Sequence, residues 1–257
     1  MTAFDRIDKS RPHSARVWNH WLGGKDNYPA DRQVADAVAA RMPAIRDVAR
    51  EGRKFLVRAV THLAGEAGID QFLDIGTGLP TMDNTHEVAQ RTNPAARIVY
   101  VDNDPLVLVH ANALLTNVSP EGSTWYVQAD VRKPEQVLDE ARALLDFDRP
   151  IAVMLLGVLG HATPAFEDML AVVRTLVDAV PSGSYLAMLD GTDTSAAARE
   201  SAVLGNYALR SLDELRECVA GLEVLEPGLV SIPHWRPEPR RGQPPHLDSY
   251  VVVARKP

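Results

Sequence analysis

From about residue 70 to residue 190 the chain alternates short β-rich apolar runs with helical patterns, and few folds other than a parallel sheet covered on both faces accommodate that alternation. The runs QFLDI, RIVYVD, TWYVQ, PIAVMLL and SYLAMLD read as five strands. Apolar residues at three- and four-residue spacing predict helices between them at about 83–91, 105–117, 134–145 and 164–180. Five strands joined by four helical crossovers make an α/β fold. With 257 residues, 46% of them hydrophobic, the chain can bury the core that such a sheet needs within one structural domain.

Beyond the fifth strand the pattern changes. Residues 222–230 and 248–254 read as two more strands, separated by PHWRPEPRRGQPPHL rather than by a helix, so they are expected to pair as an antiparallel hairpin. A mostly parallel, Rossmann-like sheet with such an ending resembles the architecture of class I methyltransferases, whereas dinucleotide dehydrogenases normally finish with another parallel unit. Residues 1–69 read as a helical extension, with helices at about 30–41 and 44–65, expected to pack as a lid over the carboxyl edge of a core spanning 70–257.

Composition narrows the partners. The formal charge of -7 weighs against nucleic acid, whose binding surfaces usually carry a basic patch. The longest apolar run, residues 151–160, is about half of the ~20 residues a bilayer span requires, and the opening MTAFDRIDKS has charges where a signal peptide is apolar. A cytoplasmic protein with no membrane partner is expected. The one cysteine, Cys218 in the helical stretch SLDELRECVAGL, excludes an intrachain disulfide and reads as a buried thiol. His13, His20, His62, His110, His234 and His246 have no metal-ligand spacing, so no metal is expected, and His86 reads as structural.

The strongest local signal is FLDIGTGLP at residues 72–80, a strand running into a glycine-rich turn. Open α/β sheets bind ligands at the carboxyl ends of their strands, near the switch in strand order. Gly76 and Gly78, with Thr77 between them, let the backbone turn and approach a ligand, while Asp74 can orient the turn or accept from a ligand ammonium. A pyrophosphate fingerprint asks for a third glycine where Thr81 follows Pro80, so a phosphate-free ligand fits better. A glycine turn with no ligand is the plain alternative.

Two further strand ends carry acids. In VDNDP, Asp102 can accept both hydrogen bonds of a ribose diol, with Asn103 beside it, while Asp104 before Pro105 suits a helix cap. In QADVRKP, Asp130 can accept from an exocyclic adenine amine and the Val131 N–H can donate to a ring nitrogen; Asp130 serves equally well as an ordinary helix-start aspartate. The fourth strand ends LLGVLGH, where Gly157 allows close approach and His161 lies just beyond.

The segments ARVWNHWLGGKDNYPADR, QFLDIGTGLPT with NTHEVAQ, YVDNDP, LLGVLGH, SGSYLAMLDGTDT and LEVLEPGLVSIPHWRP, which cover nearly the whole chain in order, resemble a family of bacterial S-adenosylmethionine-dependent methyltransferases long catalogued as a domain of unknown function. The resemblance implies a class I fold, S-adenosylmethionine as cofactor with S-adenosylhomocysteine as product, and cofactor contacts at Gly76, Gly78, Asp102 and Asp130. It also suggests that Gly23, Gly24, Lys25, Asp26 and Asn27 fold over the bound cofactor. Read alone, Gly23 and Gly24 terminate a helix and Asp26 and Asn27 cap the next one before Pro29. Tyr28 stands where related sequences often have Phe, adding a hydroxyl. No acceptor is implied; a small molecule or biosynthetic intermediate is expected.

Methyl transfer from a sulfonium is an in-line displacement on an already activated carbon. Alignment supplies roughly 7–11 kcal/mol, whereas a general base typically adds about 10²–10⁴-fold. His161 is the first candidate base, although it fits equally well as a loop-bonding histidine; Asp190, ending the fifth strand, is the second. Tyr28 lines the acceptor pocket or packs the lid. The loop 233–247, with Trp235, Arg240 and Arg241, closes over the acceptor or is a solvated hairpin loop, and NYALRSL at 206–212 is a further pocket-facing candidate. Two other functions share the same rim: a non-catalytic binder of S-adenosylmethionine or S-adenosylhomocysteine, and an NAD(P)-dependent oxidoreductase, against which Thr81 and the terminal hairpin count.

Overall fold

The apolar runs form strands in the computed structural model, which describes residues 7–80, 83–114, 117–238, 242 and 244–257. β1 (Gln71–Ile75), β2 (Arg97–Asp102), β3 (Ser123–Gln128), β4 (Ala152–Leu156) and β5 (Tyr185–Gly191) pair in parallel in the order β3-β2-β1-β4-β5. The order reverses between β1 and β4, which opens a crevice at their carboxyl ends. Burial follows the pleat: Phe72 and Ile98 face one side of the sheet, Leu73 and Val99 the other.

Three helices precede the sheet: α1 (Ser14–Trp21), α2 (Pro29–Arg41) and α3 (Ile45–Gly65). The apolar period predicts the latter two; for α1 the sequence shows only the terminator, Gly23 and Gly24. α3 fills one sheet face, burying Phe55, Leu56, Ala59, Val60 and Leu63 against Phe72, Ile98, Met154 and Val253. The covering of the strand ends falls instead to α1, capped by His13, whose Nδ1 accepts from Ala15 N at 3.3 Å.

The crossover helices are α4 (Thr85–Thr92), α5 (Pro105–Leu114), α6 (Pro134–Arg142), the short α7 (Leu159–Ala162) and α8 (Phe166–Ala179). α6 and α8 cover the opposite face through Val137, Leu138, Met169, Val173 and Leu176. After β5 come α9 (Ala196–Gly205), absent from the sequence reading, and α10 (Leu212–Cys218), which holds the buried Cys218, its thiol pushed up to about 12 by burial.

The C-terminal antiparallel pairing holds, with one difference. β8 (Ser249–Arg255) runs antiparallel beside β5, and its other edge takes β6 (Glu223–Val224) and β7 (Val230–Ser231), not one strand over 222–230. Pro227 offers no N–H to a ladder, and a turn closed by Gly228 N donating to Leu225 O at 2.8 Å separates the two dipeptides. Among the described residues no helix is long and apolar enough to cross a membrane.

Candidate functional site

The carboxyl ends of β1 to β4 and the flank of α1 enclose a cavity of about 280 Å³. Its floor is the glycine turn. Gly76 (φ +74°) donates to Val101 O at 2.7 Å, and a Cβ there would stand 2.3 Å from the Val158 side chain, so turn and neighbouring loop require this residue to be glycine. Gly78 N donates to Asp102 Oδ2 at 2.8 Å, and Asp104 N to Asp102 Oδ1 at 3.0 Å. A carboxylate has about four acceptor positions, so roughly two stay available to a ligand. Burial raises the Asp102 pKa, opposed by the two backbone N–H groups and by His13.

Asp104 has the capping role expected of it, accepting from Leu106 N at 2.9 Å. Its second oxygen lies 3.3 Å from Arg16 Nε, and Arg16 Nη1 lies 3.6 Å from Asp31. All three side chains are buried, and this charged bridge anchors α1 over the end of β2.

Asp74 accepts from Thr85 Oγ1 at 2.5 Å, and burial pushes its pKa up to about 6 against the lowering effects of that hydrogen bond and of Arg53. Arg53 reaches the same cavity from α3, its guanidinium donating to Asp83 O at 2.9 Å. Asp130, at the rim, receives Arg132 Nε at 3.0 and 2.9 Å on its two oxygens, which holds its carboxyl below the usual range.

The structure thus gathers Asp74, Gly76, Thr77, Gly78, Asp102, Asn103, Asp130, Val131, Gly157 and His161 around one cavity. Gly23, Gly24, Lys25, Asp26 and Asn27 do not line it. Asn27 Nδ2 instead donates to Asn19 Oδ1 at 2.9 Å and to Gly24 O at 3.0 Å, so this turn braces Asn19, which does line the cavity. Tyr28 packs with Leu79, Leu106 and Val107, its ring 5.5 Å from the Arg16 guanidinium, and is a packing residue of the cover.

His161 is placed where a base could act, but its Nε2 accepts from Trp18 Nε1 at 3.3 Å. An indole only donates, so Nε2 carries no proton; burial holds the imidazole pKa down at about 4 and leaves the ring neutral. Asp190 lies behind this wall. Fully buried, it accepts from Gly191 N at 2.8 Å and from the Tyr207 hydroxyl, and burial raises its pKa to about 6.

Trp235 does not close over an acceptor. It is fully buried and meets Phe55 edge-on at 5.4 Å, with Arg58 Nε donating to its carbonyl at 2.8 Å, because the apolar face of α3 gives the indole a larger buried contact than the loop could. Thr81, Arg240 and Arg241 lie outside the described residues. His86 is held through its N–H and Nδ1 by the Tyr100 hydroxyl, at 2.7 and 2.9 Å. Arg53, like Trp18 and Asn19, is a cavity residue that the sequence did not disclose: α3 reads as an ordinary amphipathic helix, and only its packing brings position 53 beside Asp74.

A doubly wound sheet with a terminal antiparallel strand, and acids at the ends of β2 and β3 around a strand-end cavity, defines a class I methyltransferase fold. The plantazolicin methyltransferase BpumL, solved with S-adenosylhomocysteine, shares it at a TM-score of 0.51 and 13% identity over 95% of both chains. The chain belongs to the S-adenosyl methyltransferase family, whose model matches residues 1–257. A DUF574 family protein from Streptomyces avermitilis MA-4680 is 44% identical over 98% of this chain and 100% of its own, with a TM-score of 0.91. A putative methyltransferase from Thermobifida fusca YX is 42% identical over 97% and 96%, with a TM-score of 0.89. No curated protein matches the chain. The protein is an S-adenosylmethionine-dependent methyltransferase.

Proposed function

We propose that this methyltransferase holds its cofactor in the strand-end cavity and methylates a small-molecule acceptor. The observation that carries the reading is Asp102, a buried carboxylate oriented by two backbone N–H groups with acceptor capacity left for a ribose diol. The cavity, about 280 Å³, sits near the lower end of the ~300–1,000 Å³ usual for small-molecule sites.

The charges suit the rest of the group. Asp74 and Arg53 lie together beside the glycine turn, where they offer an acceptor for an ammonium and a cation for a carboxylate. Asp130 and the Val131 backbone are positioned for the adenine. Arg132, the present partner of Asp130, is largely exposed, so releasing that pair costs no more than about 1 kcal/mol. When bound, the cofactor supplies a methyl group activated by the positive charge on its sulfur. Around the cofactor, the chain's contribution is orientation and exclusion of water. The net charge of -7 supports a small molecule over nucleic acid as acceptor.

Calorimetric titration with S-adenosylmethionine, S-adenosylhomocysteine and NADPH, on the wild type and Asp102→Ala, tests this assignment. Both adenosyl ligands are expected to bind the wild type. The substitution removes charge-assisted hydrogen bonds worth about 1.5–3 kcal/mol each and is expected to weaken binding roughly a hundredfold. Binding of NADPH alone, or adenosyl binding indifferent to Asp102, refutes it.

A further inference from the structure

Behind the cofactor cavity lies a second one, of about 60 Å³, enclosed by α1, α2, α3, α9 and the end of β5. Trp18, His161 and Leu189 line both and form their common wall. Resting on the cofactor assignment above, we infer that this second cavity is the acceptor site, and that the acceptor is a flat, largely apolar molecule whose hydroxyl replaces the Trp18 indole N–H on His161.

The chamber's chemistry selects that class. Trp21, Val38, Met42 and Val48 make most of its wall apolar. Its polar groups are largely engaged: Ser201 Oγ donates to Ala198 O at 2.9 Å, and the Asp248 carboxylate receives Thr194 Oγ1 at 2.8 Å and Ser195 Oγ at 2.7 Å. An anionic acceptor would be desolvated there without a counter-ion, and the one carboxylate in the wall, Asp248, already receives two hydroxyls, so an uncharged molecule suits the chamber best. α9 closes the outer side with the small residues Ala198, Ser201, Ala202 and Gly205, which leave room for a ring against the helix.

Size makes Trp18 a gate. An apolar cavity of about 150 Å³ admits benzene, so about 60 Å³ is too small for an aromatic ring while the indole stays in place. The half-buried Trp18 is held by the 3.3 Å hydrogen bond to His161 and by an edge contact with Trp21 at 5.4 Å. One neutral hydrogen bond of this length is a modest restraint. Swinging the indole out joins the two cavities at His161 Nε2 and frees the volume of a bicyclic aromatic. In the transfer the acceptor oxygen forms a bond to the methyl carbon, the carbon–sulfur bond breaks with its electron pair staying on sulfur, and the acceptor proton passes to His161 Nε2.

Calorimetric titration of the S-adenosylhomocysteine-saturated protein with 2-naphthol, a bicyclic aromatic bearing one hydroxyl, tests the inference. The wild type is expected to bind it. Ala202→Phe, which fills the chamber from α9 without touching the cofactor cavity, is expected to weaken naphthol at least about tenfold and leave S-adenosylhomocysteine unchanged. Trp18→Phe, which removes the competing N–H, is expected to strengthen naphthol about threefold or more, and decides the matter if Ala202→Phe fails to fold. No naphthol binding to either the wild type or Trp18→Phe, or binding that Ala202→Phe leaves intact, overturns the inference. Failure of S-adenosylhomocysteine to bind the wild type overturns the cofactor assignment instead.

Discussion

The ends of β1, β2 and β3 present Asp74, Asp102 and Asp130 on a floor of backbone N–H groups, whereas the space beside the ends of β4 and β5 faces Trp18, Trp21 and Leu189. In the first region each acid sits at or just beyond a strand end; Asp102 and Asp130 are oriented by main-chain N–H groups and by the residue two further on, Asp74 by the Thr85 hydroxyl. Charges and hydrogen-bonding groups dominate there, and their geometry is inherited from the sheet. In the second region the walls come from helices far apart in the chain, and contact is by shape. Under the proposed assignment the first kind of construction holds the cofactor, while the second lets acceptor preference change through α9, which does not line the cofactor cavity.

Four measurements can break or sharpen that contrast. The largest effect concerns what closes the apolar region. Trp235 belongs to the core beneath α3, so Trp235→Ala is expected to cost about 3–5 kcal/mol of stability in urea unfolding while leaving S-adenosylhomocysteine affinity in the folded protein unchanged. A loss of affinity without a loss of stability would return the 233–247 loop to the site.

Next comes the buried carboxyl behind the wall. The folded state holds the Asp190 proton up to about pH 6, against 3.8 for the ordinary group, so between those values the native state binds more protons than the unfolded one. This group therefore makes stability fall as pH rises from about 4 to about 6, by up to about 3 kcal/mol. Asp190→Asn lacks the effect, and its stability relative to wild type is expected to improve between pH 4 and pH 7. An unchanged difference across that window would mean that Asp190 titrates normally.

On the polar side, Arg53→Gln is expected to weaken S-adenosylhomocysteine about tenfold and leave 5′-methylthioadenosine, which has no amino-acid group, unaffected. Equal losses for both ligands would make Arg53 a brace for Asp74 rather than a carboxylate partner. The smallest effect is at the rim. Arg132→Ala is expected to change affinity by less than about threefold, since an exposed ion pair is worth about 0–1 kcal/mol. A larger loss would place Arg132 against the ligand.

The legible part of the molecule was the part encoded over short distances. The five parallel strands, the glycine turn of Gly76 and Gly78, and the acids of VDNDP and QADVRKP all declare themselves within a few residues, because a strand end and the turn after it are one local structure. Of α1 only the glycine terminator is legible, because its stretch mixes His, Asn and Trp, and α9 is not legible because alanines give it little apolar contrast. The expectation that Gly23 to Asn27 cover the cavity reached the right neighbourhood, but the chain delivers Asn19 to the wall and uses that turn to hold it.

By itself, the sequence determined the α/β class, the order of strands along the chain and the row of acids at their ends, since hydrophobic period and turn chemistry are local. Only the tertiary structure decided that Arg53 of α3 stands beside Asp74, that Trp18 engages His161 across 143 residues, and that Trp235 turns inward. Those are long-range contacts: each depends on which helix face a folded neighbour leaves open, and no short stretch of chain carries that information.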